Sequence, residues 1–260
     1  MDTQTEPVNL NTSLSVDGFW QRLQFALLPP RCLLCGCRGD RSRDLCAACA
    51  SDLAHNRSAC ARCALPLPLA APLCGDCLKR EPPFDAAFAP LLYVHPLDLL
   101  MTKLKFGHSL AAGRVLSELW TSAMRELLSA DSAPALPEVL IPVPLHIVRL
   151  RERGYNQALE LAKPLARQFS IPLRHDLLRR TRATPAQANL DAKTRRRNLR
   201  GAFEFGSNTP TKRNFLPAHV ALVDDVMTTG ATLRECARTL KRAGIARVDV
   251  WALARAPRVR

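Results

Sequence analysis

Two adjacent carboxylates, Asp224 and Asp225, stand in the stretch VALVDDVMTTGATL at 220–233, and Thr228, Thr229, Gly230, Ala231 and Thr232 follow at once. Threonine hydroxyls and free backbone amides entering a helix form a nest for a terminal phosphate, and the helix N-terminus adds favourable potential. Gly230 lets that backbone approach closely or take a positive φ. Two carboxylates beside a phosphate would repel it unless the ligand also brings hydroxyl donors or a divalent cation. A phosphorylated ribose offers vicinal hydroxyls to Asp224 and Asp225, and Mg²⁺ balances the remaining charge. The same residue types also build ordinary turns and helix caps, so capping is the competing account. The chain has neither the G-x-x-x-x-G-K-[ST] of a P-loop nor the G-x-G-x-x-G of a dinucleotide fold.

A second chemistry lies near the other end. Cys32 and Cys35, Cys46 and Cys49, Cys60 and Cys63, and Cys74 and Cys77 form four C-x-x-C pairs, and the last two pairs copy the first two at an offset of 28. Two residues between thiolates let a tight turn aim both sulfurs at one ion, and a second turn completes a tetrahedral cage. The spacing points to two structural zinc ions. Four thiolates leave no open position for water, and metal binding supplies folding energy to a segment too short for its own core. Iron–sulfur ligation uses the same donors, and spacing alone does not say whether the pairs combine consecutively or interleaved. Cys37 is a spare near the first set, and Cys236 fits a small buried apolar residue on a helix.

The elements that must position these residues can be read from pattern. FAPLLYV (88–94) and EVLIPV (138–143) read as strands, and 97–106, 110–128 and 156–169 as helices. Short apolar stretches occur near 174–178 and 201–205, and a β-α-β unit fills 219–254. Strands alternating with helices imply an α/β fold, a mostly parallel sheet with helices on both faces. His219 to Val223 becomes a central strand, with Asp224 and Asp225 at its C-terminal end, where open α/β sheets bind ligands. The proline-containing junction KREPPFDAAF at 79–88 separates a cysteine-rich domain at 25–80 from the sheet domain at 81–260, and 1–24 form an N-terminal extension with a short helix.

Bulk properties agree with a globular binder of anions. The 260 residues carry 37 Lys and Arg against 23 Asp and Glu, a formal charge of +14, which favours phosphate esters, nucleic acid or acidic lipid. The first twenty residues lack the basic start and apolar run of a signal peptide, and no apolar stretch approaches a membrane span. The expected location is therefore the reducing cytoplasm, where clustered cysteines serve as metal ligands rather than disulfides.

VALVDDVMTTGAT resembles the phosphoribosyl pyrophosphate (PRPP) motif of type I phosphoribosyltransferases. Together with the cysteine pairs, LKFG (104–107), IPVPLH (141–146), RERGYNQA (151–158) and ATPAQANLDAKTRRRNLRGAF (183–203), it is similar to the ComF family, also called ComFC or GntX-like. The resemblance implies a type I phosphoribosyltransferase sheet preceded by a double zinc ribbon. It assigns the ribose hydroxyls to Asp224 and Asp225, the 5-phosphate to Thr228, Thr229, Gly230, Ala231 and Thr232, and the pyrophosphate to the loop Pro142, Val143, Pro144 and Leu145. Arg149 and Arg153 add positive charge there, Arg153 being grouped with the two aspartates as the catalytic set.

From Arg179 to Arg200 there are eight basic residues and one acidic residue, which the resemblance makes a hood loop closing over the site, with Gln187, Arg196 and Asn198 on the family pattern. The activity implied is Mg²⁺-dependent ribosyl-phosphate transfer to an unassigned acceptor, linked to natural transformation and DNA uptake. The alternative implied is a non-catalytic competence factor that binds single-stranded DNA or a helicase partner, with PRPP as a regulatory ligand.

Overall fold

Nine residues rich in Val, Ala and Leu form the central strand β6 (His219–Met227), and the equally apolar β7 (Arg247–Arg255) lies parallel beside it. A computed structural model of the chain describes residues 29–40, 43–107, 109–130, 133–182, 199–206 and 216–258. In chain order the other elements are α1 (Ala47–Ser51), α2 (Gly75–Lys79), β1 (Ala86–Phe88), β2 (Leu91–Leu92), α3 (Leu97–Phe106), α4 (Leu110–Leu128) and β3 (Val139–Pro142). They continue with α5 (Ile147–Arg153), α6 (Gln157–Phe169), β4 (Leu178–Arg180), β5 (Phe203–Phe205) and, between β6 and β7, α7 (Ala231–Arg242). The sheet order is β1-β7-β6-β3, every pairing is parallel, and β2 joins the same β7. An antiparallel β4–β5 pair stands apart.

Alternation along the strands sorts the core into two faces. Ile141, Val220, Leu222, Val248 and Val250 pack with Leu233, Cys236, Ala237 and Leu240 of α7. Leu140, Ala221, Val223 and Leu253 pack with Leu100, Met101 and Leu104 of α3, Val115, Leu116 and Trp120 of α4, and Leu161 and Leu165 of α6. The period-2 alternation of a strand places neighbours on opposite faces, so one continuous apolar run feeds both. Helices therefore cover both faces of a mostly parallel sheet. Local capping fixes where they start: Ser109 Oγ accepts from Ala112 N at 3.2 Å, and Asn156 Oδ1 accepts from Ala158 N at 3.0 Å.

Two strand expectations shift. The stretch 88–94 does not form one strand; pairing with β7 is carried by β1 and β2, with Pro90 between them. Proline offers no N–H to the ladder. The gap is bridged by the segment joining the two cysteine sets, where Asn56 N donates to Pro90 O and Leu92 N donates to Ala54 O, both at 2.8 Å. The second shift concerns β6, which runs on through Met227, paired with Arg255, so the aspartates lie inside its last turn of pleat rather than at its end. The N-terminal extension and Gln187, Arg196 and Asn198 lie outside the described residues.

Candidate active site and metal centres

Register brings two loops to one sheet edge. Pro142 pairs with Val223, immediately before Asp224, and Val143 N donates to Val223 O at 2.9 Å. The Pro142–Leu145 loop thus leaves β3 beside Asp224, and β6 runs on to Met227 before the threonine loop begins, both at the C-terminal edge of the sheet. Asn156 Nδ2 donates to Val143 O at 3.0 Å and fastens the first loop to the start of α6.

Within the second segment, Asp224 Oδ1 accepts from Asp225 N at 2.9 Å and Asp225 Oδ1 from Val226 N at 2.7 Å. Among the described residues neither aspartate caps α7. The N-cap position is Gly230, which has no side chain to offer; Thr229 Oγ1 accepts from Ala231 N at 3.4 Å, while Thr228 is exposed. Gly230 sits at φ +70°, the left-handed region that favours glycine. Thr229 thus bonds the first amide of α7, while each aspartate bonds the amide that follows it.

Lys105 supplies a cation for that pair. Its Nζ lies 2.8 Å from Asp225 Oδ2, and only 20% of the lysine side chain and 15% of the aspartate side chain are exposed. Burial would lower the lysine's pKa, but the charges of Asp225 and Asp224 and the hydrogen bond to Asp225 raise it above its usual value. Asp224 responds in the opposite sense: burial first, then the charge of Asp225, pushes its carboxyl up to about 8 against the pull of Lys105 and the Asp225 N–H. The same surroundings hold the Cys236 thiol well above its ordinary range, so Cys236 is the inert buried residue its helical position implies.

Arginines come from two elements, α5 and β4. Arg149 on α5 pairs with Glu152 at 3.3 Å. Arg153, at the end of α5, donates to Gln157 Oε1 at 3.1 Å and lies over the Phe106 ring at 5.6 Å, one residue along from Lys105. Arg180 on β4 stacks on Phe203 at 5.5 Å. Burial depresses the Arg180 pKa; it feels the charge of Asp224 and is repelled by Arg149.

Arg255 is the positioning residue that pattern did not reveal. Buried at 7% exposure, it donates to Cys63 O at 3.0 Å, to Met227 O and Ala256 O at 2.8 Å, and to Thr228 O. It ties the entrance of the threonine loop to the second cysteine set. Lys105 lies in the LKFG stretch at 104–107, but its partner Asp225 is far away in sequence, so no local pattern announces the pairing.

The thiols gather into two sets of four built from consecutive pairs: Cys32, Cys35, Cys46 and Cys49, then Cys60, Cys63, Cys74 and Cys77. In each set all Sγ atoms lie within 4.8 Å of one another, and Cys35–Cys46 and Cys63–Cys74 are 3.7 Å apart. A tetrahedral zinc with bonds of about 2.3 Å demands S–S edges of roughly 3.8 Å, so the donors fit. Cys74 N donates to Cys60 Sγ at 3.2 Å and Cys49 N to Cys46 Sγ at 3.4 Å. Burial acts to raise the pKa of Cys32 and Cys60, yet the backbone N–H groups around them win and bring the two thiols down to about 6 and about 7. Neither Cys37 nor Cys236 joins a set among the described residues.

Residues 23–78 match the family described as Double zinc ribbon domain, and residues 155–259 match Phosphoribosyl transferase domain. The chain is 38% identical over 225 residues to Competence protein F of Haemophilus influenzae, covering 86% of this chain and 90% of the relative. The chain belongs to the ComF family. DNA utilization protein YhgH of Escherichia coli O157:H7 is 36% identical over 226 residues, 86% of this chain and 89% of the relative. Competence protein ComFC of Bacillus subtilis is 37% identical over 106 residues, 41% of this chain and 39% of the relative. This ComF-family chain thus joins a phosphoribosyltransferase domain to a zinc ribbon with two four-cysteine sites. No described helix is long and apolar enough to cross a membrane.

Proposed function

We propose that the sheet-edge site binds PRPP with Mg²⁺ and transfers its ribosyl phosphate to a nitrogen acceptor, in the service of DNA uptake. The observation that carries this reading is the juxtaposition of a partly buried acidic pair with a glycine-hinged threonine loop leading into a twelve-residue helix. Asp224 and Asp225 accept the ribose hydroxyls. Thr228, Thr229, Gly230, Ala231 and Thr232 surround the 5-phosphate, where the first amides of α7 lack helical partners.

The Pro142–Leu145 loop, with Arg149 and Arg153, holds the pyrophosphate by charge-assisted bonds. Carboxylate oxygens beside a diphosphate suit a hard cation, and Mg²⁺ when bound neutralises the leaving group. The C1–oxygen bond breaks, pyrophosphate departs, and the acceptor nitrogen forms the new bond; the chain contributes positioning and electrostatics rather than covalent attack. Gln187, Arg196 and Asn198 complete this reading as hood residues, on the resemblance alone.

The names of the relatives, competence and DNA utilization proteins, support the DNA connection. A second reading, a competence factor that binds single-stranded DNA or a helicase and uses PRPP only as a regulator, is favoured by one specific feature. Arg80, Arg200, Arg234, Arg238 and Arg242 line a cavity of about 400 Å³ behind the threonine loop. Glu235 also lines it but is paired with Arg238 at 2.5 Å.

Calorimetric titration of the purified chain with PRPP and Mg²⁺, followed by assays of pyrophosphate release over a panel of bases, tests the first reading. Binding with release supports transfer. Binding without release, together with steeply salt-dependent capture of single-stranded DNA, supports the second. Absence of PRPP binding overturns both.

A further inference from the structure

Asp225 has both carboxylate oxygens engaged, Oδ1 by Val226 N at 2.7 Å and Oδ2 by Lys105 Nζ at 2.8 Å, whereas no cation pairs with Asp224 among the described residues. Two neighbouring carboxyls with one ammonium cannot behave alike. The one that holds the lysine is fixed in orientation, and the other carries the cost of crowding.

The lysine is itself held in place. Its stem leaves the last turn of α3, anchored through the buried Leu100, Met101 and Leu104, and its ammonium stands 6.0 Å from the centre of the Tyr93 ring. The Tyr155 hydroxyl donates to Leu104 O, and Arg153 covers Phe106 at 5.6 Å. Arg153 at the end of α5 and Tyr155 just after it therefore clamp the helix end that carries Lys105. Exposed pairs of this kind contribute little, but this one is largely withdrawn from solvent screening.

Resting on the PRPP reading of this site, we infer that Lys105 is a positioning residue for the acidic pair: through a largely buried ion pair it locks the orientation of Asp225, and Asp224 is left as the member of the pair with no cation of its own among the described residues. The groups facing the pair fit this division. Lys105 comes from α3 and Tyr93 from the turn after β2, while Arg153 at the end of α5 and Tyr155 after it contact Phe106 and Leu104, the neighbours of Lys105. Arg180 of β4 and Cys236 of α7 bear on Asp224 from the other side. Of these, only Lys105 makes a direct ion pair with the two aspartates among the described residues. Loss of its charge frees Asp225 to rotate and leaves two adjacent carboxyls with no cation beside them. A ligand that requires them ionised then binds well only at higher pH.

The test is calorimetric affinity for PRPP with Mg²⁺ from pH 6 to pH 9 for the wild-type chain and for Lys105→Met, Lys105→Arg and Asp225→Asn. At pH 7 Lys105→Met is expected to weaken binding roughly tenfold and to move the midpoint of the affinity–pH curve up by about one unit. Lys105→Arg is expected to restore the wild-type midpoint. Lys105→Gln replaces Lys105→Met if near-UV circular dichroism shows that the latter has not folded. A charge-removing variant that keeps the wild-type midpoint overturns the role assigned to Lys105, even with Asp225→Asn impaired, and leaves the PRPP site standing. Wild-type affinity in Asp225→Asn, or no PRPP binding by the wild-type chain, removes the site reading and this inference together.

Discussion

Asp224 carries a cost that a purely structural residue would not. An ordinary Asp titrates near 4, and burial together with the charge of Asp225 pushes this one up to about 8. Between those values the unfolded chain has released a proton that the folded chain retains, so this group makes folding less favourable as pH rises from about 4 to about 8. Asp224→Asn removes the titration. The variant is expected to gain on the order of 1–2 kcal/mol over wild type at pH 8, with the gain shrinking toward pH 4, and to lose PRPP binding. Urea denaturation at pH 5 and pH 8 reads the difference; a gap that does not change with pH would contradict the account. Stability given up at a carboxyl pair facing a sheet edge is what a binding site requires, and a capping aspartate would show the reverse sign.

At the scale of elements, regular pieces were legible and their junctions less so. The bounds of α3 and α4 fall where apolar spacing puts them, because each helix buries one stripe against the sheet. The strand expected over 88–94 divides at Pro90, since the partner that fills the gap comes from a segment no local pattern connects to it. The threonine loop was readable as a unit because its requirements are local: a left-handed residue, hydroxyls and a helix start. Lys105 and Arg255 were not, because their partners come from remote strands and their roles arise only on folding.

Gly230 gives the loop a sharp test. A Cβ there would meet Met227 Cε at 2.8 Å, but that atom is the end of a flexible side chain, so φ +70° sets the penalty. Gly230→Ala is expected to cost about 1 kcal/mol or more. Gly230→Asn, though larger, is expected to cost less because Asn enters the left-handed region more readily. Equilibrium denaturation of the two variants decides between strain and space; the opposite order would make space the controlling factor.

At the scale of the whole molecule, the two cysteine sets pack into the two core faces of the sheet. The first cysteine set contributes Cys32, with Leu45 and Leu53, to the core face shared with α3, α4 and α6, and Arg43 reaches Glu118 of α4 at 3.0 Å. The second contributes Cys60, Cys63, Cys74 and Cys77 to the opposite face, and Arg255 links it to the threonine loop. The two metal centres therefore brace the sheet from both sides and differ in access: all four cysteines of the second set are buried, whereas Cys35 in the first is exposed.

A chelator is therefore expected to remove two zinc ions per chain in two phases, the first leaving near-UV circular dichroism and PRPP binding largely intact. The second should abolish both, because it releases Cys63 and with it the anchor of Arg255. A colorimetric zinc assay run beside the dichroism and the titration measures the coupling. If the chain keeps its tertiary signal and its PRPP affinity after both ions have gone, the ribbons are attachments to a self-sufficient sheet, and the bracing role assigned to the second set is wrong.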